Sequence, residues 1–150
     1  MRSLETLHQD QVISALELSA ARTIMRVYKQ THPLVGLGVA FAHAALRLGH
    51  LALRLDRLDQ DFSQEVLEAF FDQRDEETVE VKPLLAEEIP SIEEWRSALQ
   101  ESSAVWVADG HDSWKRTPLI LDGTLLFTYK AWKGEAQVAH CLLKMTQNVN

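Results

Sequence analysis

Thr117-Pro-Leu-Ile-Leu-Asp-Gly-Thr-Leu-Leu-Phe-Thr-Tyr-Lys-Ala-Trp-Lys-Gly-Glu135 decides how this chain is read. Two apolar runs flank Asp122-Gly123, a dipeptide whose tolerance of positive φ suits the tight turn of a β-hairpin. A two-residue Asp-Gly loop pairs Leu121 with Thr124, Ile120 with Leu125, Leu119 with Leu126 and Pro118 with Phe127. One face then carries Leu119, Leu121 and Leu126, and the other carries Ile120, Leu125 and Phe127. Both faces are apolar, whereas a hairpin with one wet face alternates. Either helices cover both faces, or one face awaits something outside this chain; a lone hairpin is barely stable, so this one must lean on helices. The helical pattern that follows, Trp132 to Gln147, can cover one face only. The other face, with Ile120, Leu125 and Phe127, is the candidate contact surface for a partner.

Outward from the hairpin the chain reads as mainly helical. Asp10 or Gln11 to Gln30 is an amphipathic helix with Ile13, Leu16, Ala20, Ile24 and Val27 on its stripe. Residues 1–9 form a frayed lead-in or a helical turn. Thr31-His-Pro33 breaks the chain and starts a new helix, because a proline in the first turn loses no hydrogen bond there. That helix runs to about Leu48, is apolar nearly all round and is therefore central. Gly36, Ala40 and Ala44 lie four apart and allow close packing. Gly49 caps its end. Leu51, Leu53 and Leu55 alternate with Ala52, Arg54 and Asp56, which fits a short strand or an extended segment, or a helical turn through Leu58. Asp61 or Ser63 caps a helix with Phe62, Val66, Leu67, Phe70 and Phe71. Asp72 to Glu88 holds seven acidic and two basic residues and reads as a mobile loop. Ser91-Ile-Glu-Glu94 is a capping box opening a helix with Ile92, Trp95 and Leu99. Ala104 to Ala108 has strand character. The expected fold is a single α+β domain over residues 1–150, mainly α: a small helical bundle, a C-terminal β-hairpin packed on it, and a final helix.

Composition narrows the function. The chain has 150 residues and a formal net charge of −7, which opposes a direct grip on duplex DNA, since phosphate contacts need clustered Lys and Arg. Cys141 is the only cysteine, so no internal disulfide forms and a reducing cytoplasm fits. The first 30 residues carry charges throughout, unlike a secretion signal. The most apolar stretch, Leu34 to Leu48, is shorter than the ~20 residues a bilayer span needs, so no membrane is expected.

Catalytic motifs are missing. A helicase-type phosphate loop, G-x-x-x-x-G-K-[ST], does not occur. Gly110-His-Asp-Ser-Trp-Lys-Arg-Thr117 lacks the second glycine, and Gly36-Leu-Gly38 lacks a preceding strand and a third glycine. ATP binding by this chain is therefore rejected, and no cofactor is expected. The six histidines are scattered without His-x-x-x-His or Cys-x-x-Cys spacing, so no metal is expected. No nucleophile elbow frames any serine, and no catalytic residue is assigned. A small hydrolase would need an open pocket holding a histidine and a carboxylate. Of the four tryptophans, Trp95 and Trp132 sit at apolar helical positions, while Trp114, beside Lys115 and Arg116, is a candidate anchor for a protein partner in preference to a weak nucleic-acid contact.

Three segments, in this order, resemble the N-terminal domain of the RecD family, the alpha subunit of exodeoxyribonuclease V. The first is His32-Pro-Leu-Val-Gly-Leu-Gly-Val-Ala-Phe-Ala-His-Ala-Ala-Leu-Arg-Leu-Gly-His-Leu-Ala-Leu53. The second is Ile92-Glu-Glu-Trp-Arg-Ser-Ala-Leu-Gln-Glu-Ser-Ser-Ala-Val105. The third is the hairpin and its helix, with Trp132 and Glu135 in the family's Trp-x-x-Glu positions. Gly134 stands where the family often has an aromatic, Asp72 to Glu88 looks like an insertion, and the chain stops at Asn150 where the family continues into its ATPase core. The resemblance implies an excised or truncated, non-catalytic domain of the 5′-to-3′ helicase subunit. It implies docking onto the gamma (RecC) subunit, with the beta (RecB) nuclease-helicase in the same complex, contact with DNA only through that complex, and a role in double-strand break repair and recombination. The competing reading is a stand-alone small nucleic-acid-binding protein, which the charge opposes.

Overall fold

The structure, a computed structural model, describes residues 1–71, 81–108 and 116–136. The chain is mixed α+β and mainly α, as the sequence predicts. Its helices start where side chains can accept from first-turn amides. Ser3 caps α1 (Leu4–Gln9), accepting from the Thr6 amide. Ser14 and Glu17 make a reciprocal capping box at the start of α2 (Ala15–Val27), each bond 3.3 Å. This box sets the boundary that hydrophobic periodicity places at Asp10 or Gln11. Gln11 stands at φ 65°, which breaks any helix running through it, and Val12 and Ile13 drop into the core from the turn.

The phase of α2 also differs from the expected stripe. Ile13 is buried and Ala20 and Ile24 are half-buried against the main core, as expected, but Leu18 and Ala21 are buried too, while Leu16 is 82% exposed and Val27 64%. The helix is apolar on two sides, so periodicity alone does not choose between them. The neighbouring helix chooses: α2 packs chiefly on α3 (Pro33–Arg47). Ten of the fifteen α3 residues are buried, as its all-round apolarity predicts. His32 caps it, Nδ1 accepting from the Leu34 amide, and Pro33 occupies the first turn. Gly49, at φ 91°, lets the chain leave it.

β1 (Leu53–Arg54), α4 (Leu58–Asp61) and α5 (Gln64–Phe71) follow. The alternation thus gives a two-residue strand, and the helical turn starts at Leu58 rather than running through it. Phe62 precedes α5 rather than riding on it and meets Phe41 of α3 edge-on at 4.8 Å. Ser63 caps α5, accepting from the Val66 amide. Of the acidic stretch expected to be mobile, residues 72–80 lie outside the described residues. Residues 81–88 are held down: Val81 and Leu84 are buried, and Arg2 donates to the Lys82 and Pro83 carbonyls and to Glu88. α6 (Ile92–Gln100) is capped by Ser91, and its Trp95 Nε1 donates 2.9 Å to the Leu34 carbonyl, tying α6 to the first turn of α3.

Four strands form one sheet in the order β1-β4-β3-β2, with β2 (Val105–Val107), β3 (Leu119–Asp122) and β4 (Leu125–Thr128). β2 runs parallel to β3, and the other neighbours are antiparallel. The β3–β4 hairpin exists, but in another register: Asp122 pairs with Leu125, Leu121 with Leu126, Ile120 with Phe127 and Leu119 with Thr128. The central turn residues are Gly123 and Thr124, with Gly123 at φ 62°. Glycine thus takes the first central position, as in a type II′ turn. The slip relative to the expected pairing is two residues. A two-residue slip leaves every side chain on its own face, because the strand repeat is two. The two apolar faces therefore stand as predicted. Leu119, Leu121 and Leu126 join the main core with Leu53, Trp95 and Leu99. Gly38, rather than the Gly36–Ala44 line, is the point of closest approach here. A β-carbon on it would stand 3.1 Å from the tips of both Leu126 and Leu99. Among the described residues, no helix is long and apolar enough to cross a membrane.

Candidate docking surface

The outer hairpin face is where the sequence points to a partner. β4 ends at Thr128, whose hydroxyl accepts from the Ala131 amide and starts α7 (Tyr129–Ala131) at once. The chain continues into a π-type turn, Trp132–Ala136. The helical segment thus begins three residues before the expected Trp132. This immediate reversal lays Trp132 across the face. Its ring meets Phe127 at 5.3 Å and Trp106 at 6.1 Å, both edge-on. Ile120, Phe127 and Trp132 are buried together with Ala52 and Ala108, and half-buried Trp106 and Leu125 form the rim. The expectation of an open face is corrected accordingly. Helices α3 and α6 cover the inner face, Trp132 covers the outer one, and Ile120 and Phe127 are core residues. Leu125 alone of the three reaches the surface, and Trp114 lies outside the described residues.

Among the described residues, two open grooves lie along the helices. On one side of α3 an apolar groove of about 450 Å³ runs between Leu46, Leu51, Ala131 and Gly134, with Lys130 at its edge. Between α2 and α3 lies a groove of about 610 Å³, lined by Ala15, Leu16, Glu17, His43 and Arg47. Leu16, Val27, Leu46 and Leu51 are exposed large aliphatics on or beside these helices. Nothing in their sequence spacing separates them from core positions, so sequence reasoning missed them as surface residues.

The polar groups near these grooves are engaged within the chain. The α2–α3 groove does hold a histidine and a carboxylate, the pairing a hydrolase would need. Glu17, however, accepts from Arg47 Nε at 2.9 Å and from the Ser14 amide, and the Ser14 hydroxyl is taken by the Glu17 amide. His43 Nδ1 lies 2.8 Å from the Val39 carbonyl. These groups are bound to one another rather than aimed at the groove. Asp61, also buried, accepts from Arg54 Nε and Nη2, and His50 Nε2 lies 3.8 Å away. The Asp61 hydrogen bond holds the Arg54 guanidinium above the usual arginine range. Among the described residues, no cluster of three or more His, Cys, Asp or Glu could hold a metal ion.

A family model described as RecBCD enzyme subunit RecD, N-terminal domain, matches residues 9–127, from the end of α1 to Phe127 of β4. The chain belongs to this family. No curated protein matches it. The RecD N-terminal domain match takes in the first two segments quoted above and the hairpin. The Trp132-x-x-Glu135 pair lies beyond the matched residues. Membership assigns the domain to the RecBCD enzyme, exodeoxyribonuclease V, and with it to DNA repair and recombination.

Proposed function

We propose that this RecD N-terminal domain is a non-catalytic docking module, holding the 5′-to-3′ helicase subunit on the gamma (RecC) subunit, in a cytoplasmic complex that also contains the beta (RecB) subunit. One observation carries the reading. The buried carboxylates Glu17 and Asp61 are each neutralised by an arginine, while Leu16, Val27, Leu46 and Leu51 stand in solvent. A domain that engages its polar groups internally and leaves aliphatic ones outside suits association with another protein better than chemistry. The sequence supports the rest: without a phosphate loop the domain hydrolyses no ATP, and with a charge of −7 it reaches DNA only through the assembled complex.

The test is co-purification of this domain with the gamma subunit, with DNA-stimulated ATPase assayed alongside. Association without ATPase activity is the expected result. Failure to associate, joined to salt-sensitive DNA binding in a gel shift, would favour a stand-alone nucleic-acid-binding protein.

A further inference from the structure

Resting on that docking reading, we propose that the solvent face of α2 is the seat for the partner: an amphipathic helix of the gamma subunit, flanked by acidic residues, lies along Leu16, Ala20, Thr23 and Val27. Leu16 and Val27 are the two most exposed large aliphatics among the described residues, at 82% and 64%. Eleven residues of α-helix return to nearly the same side after about 16 Å, so both belong to one row. Between them, exposed Thr23 and half-buried Ala20, which also packs against the main core, complete a 4-3-4 spacing, which is that of a coiled-coil seam. Large residues at the ends and small ones between them let a second helix come close. An occupant touching both ends must span about three helical turns, which a single side chain or short loop cannot do. At the Leu16 end the row opens into the α2–α3 groove, which can receive a side chain of the occupant.

Charge selects the occupant. Arg26 flanks the row, and Arg47 lies across the groove; Arg22 falls on another side of α2, and Lys29 lies beyond its end at φ 53°. Glu5 binds Arg22 and Glu17 binds Arg47. Exposed Arg26 has no acidic partner among the described residues, in a chain whose net charge is −7. Arg26 sits beside Val27 at the flanking position where coiled-coil charges choose their partners. The complementary helix therefore carries Asp or Glu beside its apolar row.

The experiment measures the affinity of the purified chain for the gamma subunit by calorimetry, for wild type and for Leu16→Glu, Val27→Glu and Arg26→Glu. All three sites are exposed, so circular dichroism and the melting temperature should match wild type. At least a tenfold loss is expected for each aliphatic replacement. Arg26→Glu should bind severalfold more weakly, by a margin that shrinks as salt rises. Wild-type affinity in Leu16→Glu and Val27→Glu would overturn the seat while leaving the docking reading intact. No binding by wild type would overturn both. A dimer of the chain alone, broken by Leu16→Glu, would make a second copy the occupant and overturn the gamma-subunit helix.

Discussion

Arg2 holds together parts of the chain that are distant in sequence. Its guanidinium reaches Asp10 at 2.6 Å, Glu88 at 2.9 Å and the carbonyls of Lys82 and Pro83. Burial opposes its charge, and the hydrogen bonds and charges of Asp10 and Glu88 outweigh that, raising its pKa. Replacing Arg2 with alanine leaves two half-buried carboxylates and two carbonyls without their donor. The expected loss is about 2 kcal/mol, with faster amide exchange at Lys82, whose N–H bonds the Asp10 carbonyl. Unchanged exchange would mean that residues 81–88 are held by Val81 and Leu84 alone. Glu5 is simpler. Its hydrogen bond from Arg22 holds its carboxyl below the usual range. A carboxylate with a depressed folded pKa stabilises above its unfolded pKa and loses that contribution as pH falls through the folded value. Because Glu5 is exposed, the effect is small and fades with salt. A carboxyl NMR titration should place Glu5 below a free glutamate and move it upward in Arg22→Gln. An unmoved midpoint would assign the shift to the backbone of the first turn. Neither contact is legible in the sequence: Glu5 and Arg22 are far beyond helical neighbour spacing, and Arg2 and Glu88 are farther apart still.

Among the elements, the hairpin shows how much local sequence specifies. Its two apolar faces follow from the alternation in Leu119 to Leu121 and Leu125 to Phe127, and a two-residue change of register leaves them intact. What covers each face depends on the turn at Thr128, a cap that an apolar-pattern reading passes over. That cap aims Trp132 at Phe127, and the second, smaller cluster depends on it. Trp132→Ala should therefore remove about 3–5 kcal/mol and open Ile120 and Phe127 to solvent, detectable as dye binding in the folded state. A loss below about 1 kcal/mol would show that the outer face does not rely on this ring. α2 carries the opposite lesson. Its start is written in Ser14 and Glu17, three residues apart, but its buried side is not. Periodicity puts Leu16 and Val27 on one stripe with Ala20 and Ile24, yet packing on α3 brings Ala20 and Ile24 against the core beside Leu18 and Ala21 and leaves Leu16 and Val27 in solvent.

At the scale of the whole molecule, the main core runs without interruption from Leu7 and Ile13 through α3 to Leu126 of the hairpin. Contacts so mixed in sequence should melt together. Urea unfolding followed by tryptophan fluorescence and by far-UV circular dichroism should give coincident single transitions, both shifted by Leu7→Ala. Separate transitions would divide the sheet from the helices. The candidate site belongs to this scale too, and here the sequence reading reached least far. Leu125 was legible as a surface apolar residue, Ile120 and Phe127 turned out to be core, and the exposed row on α2 emerged only from packing. By itself the sequence determined the mainly helical α+β class, the central α3 behind Pro33, the capped start of α6, the hairpin with two apolar faces, and the missing phosphate loop. Each of these is encoded within a few adjacent residues, by dihedral preference, capping or strand alternation. Tertiary structure alone decided the phase of α2, the parallel pairing of β2 with β3, the close approach at Gly38 and the closure of the outer face by Trp132. Those depend on which apolar surfaces find one another across long stretches of chain, and burial rewards apolar area wherever it comes from.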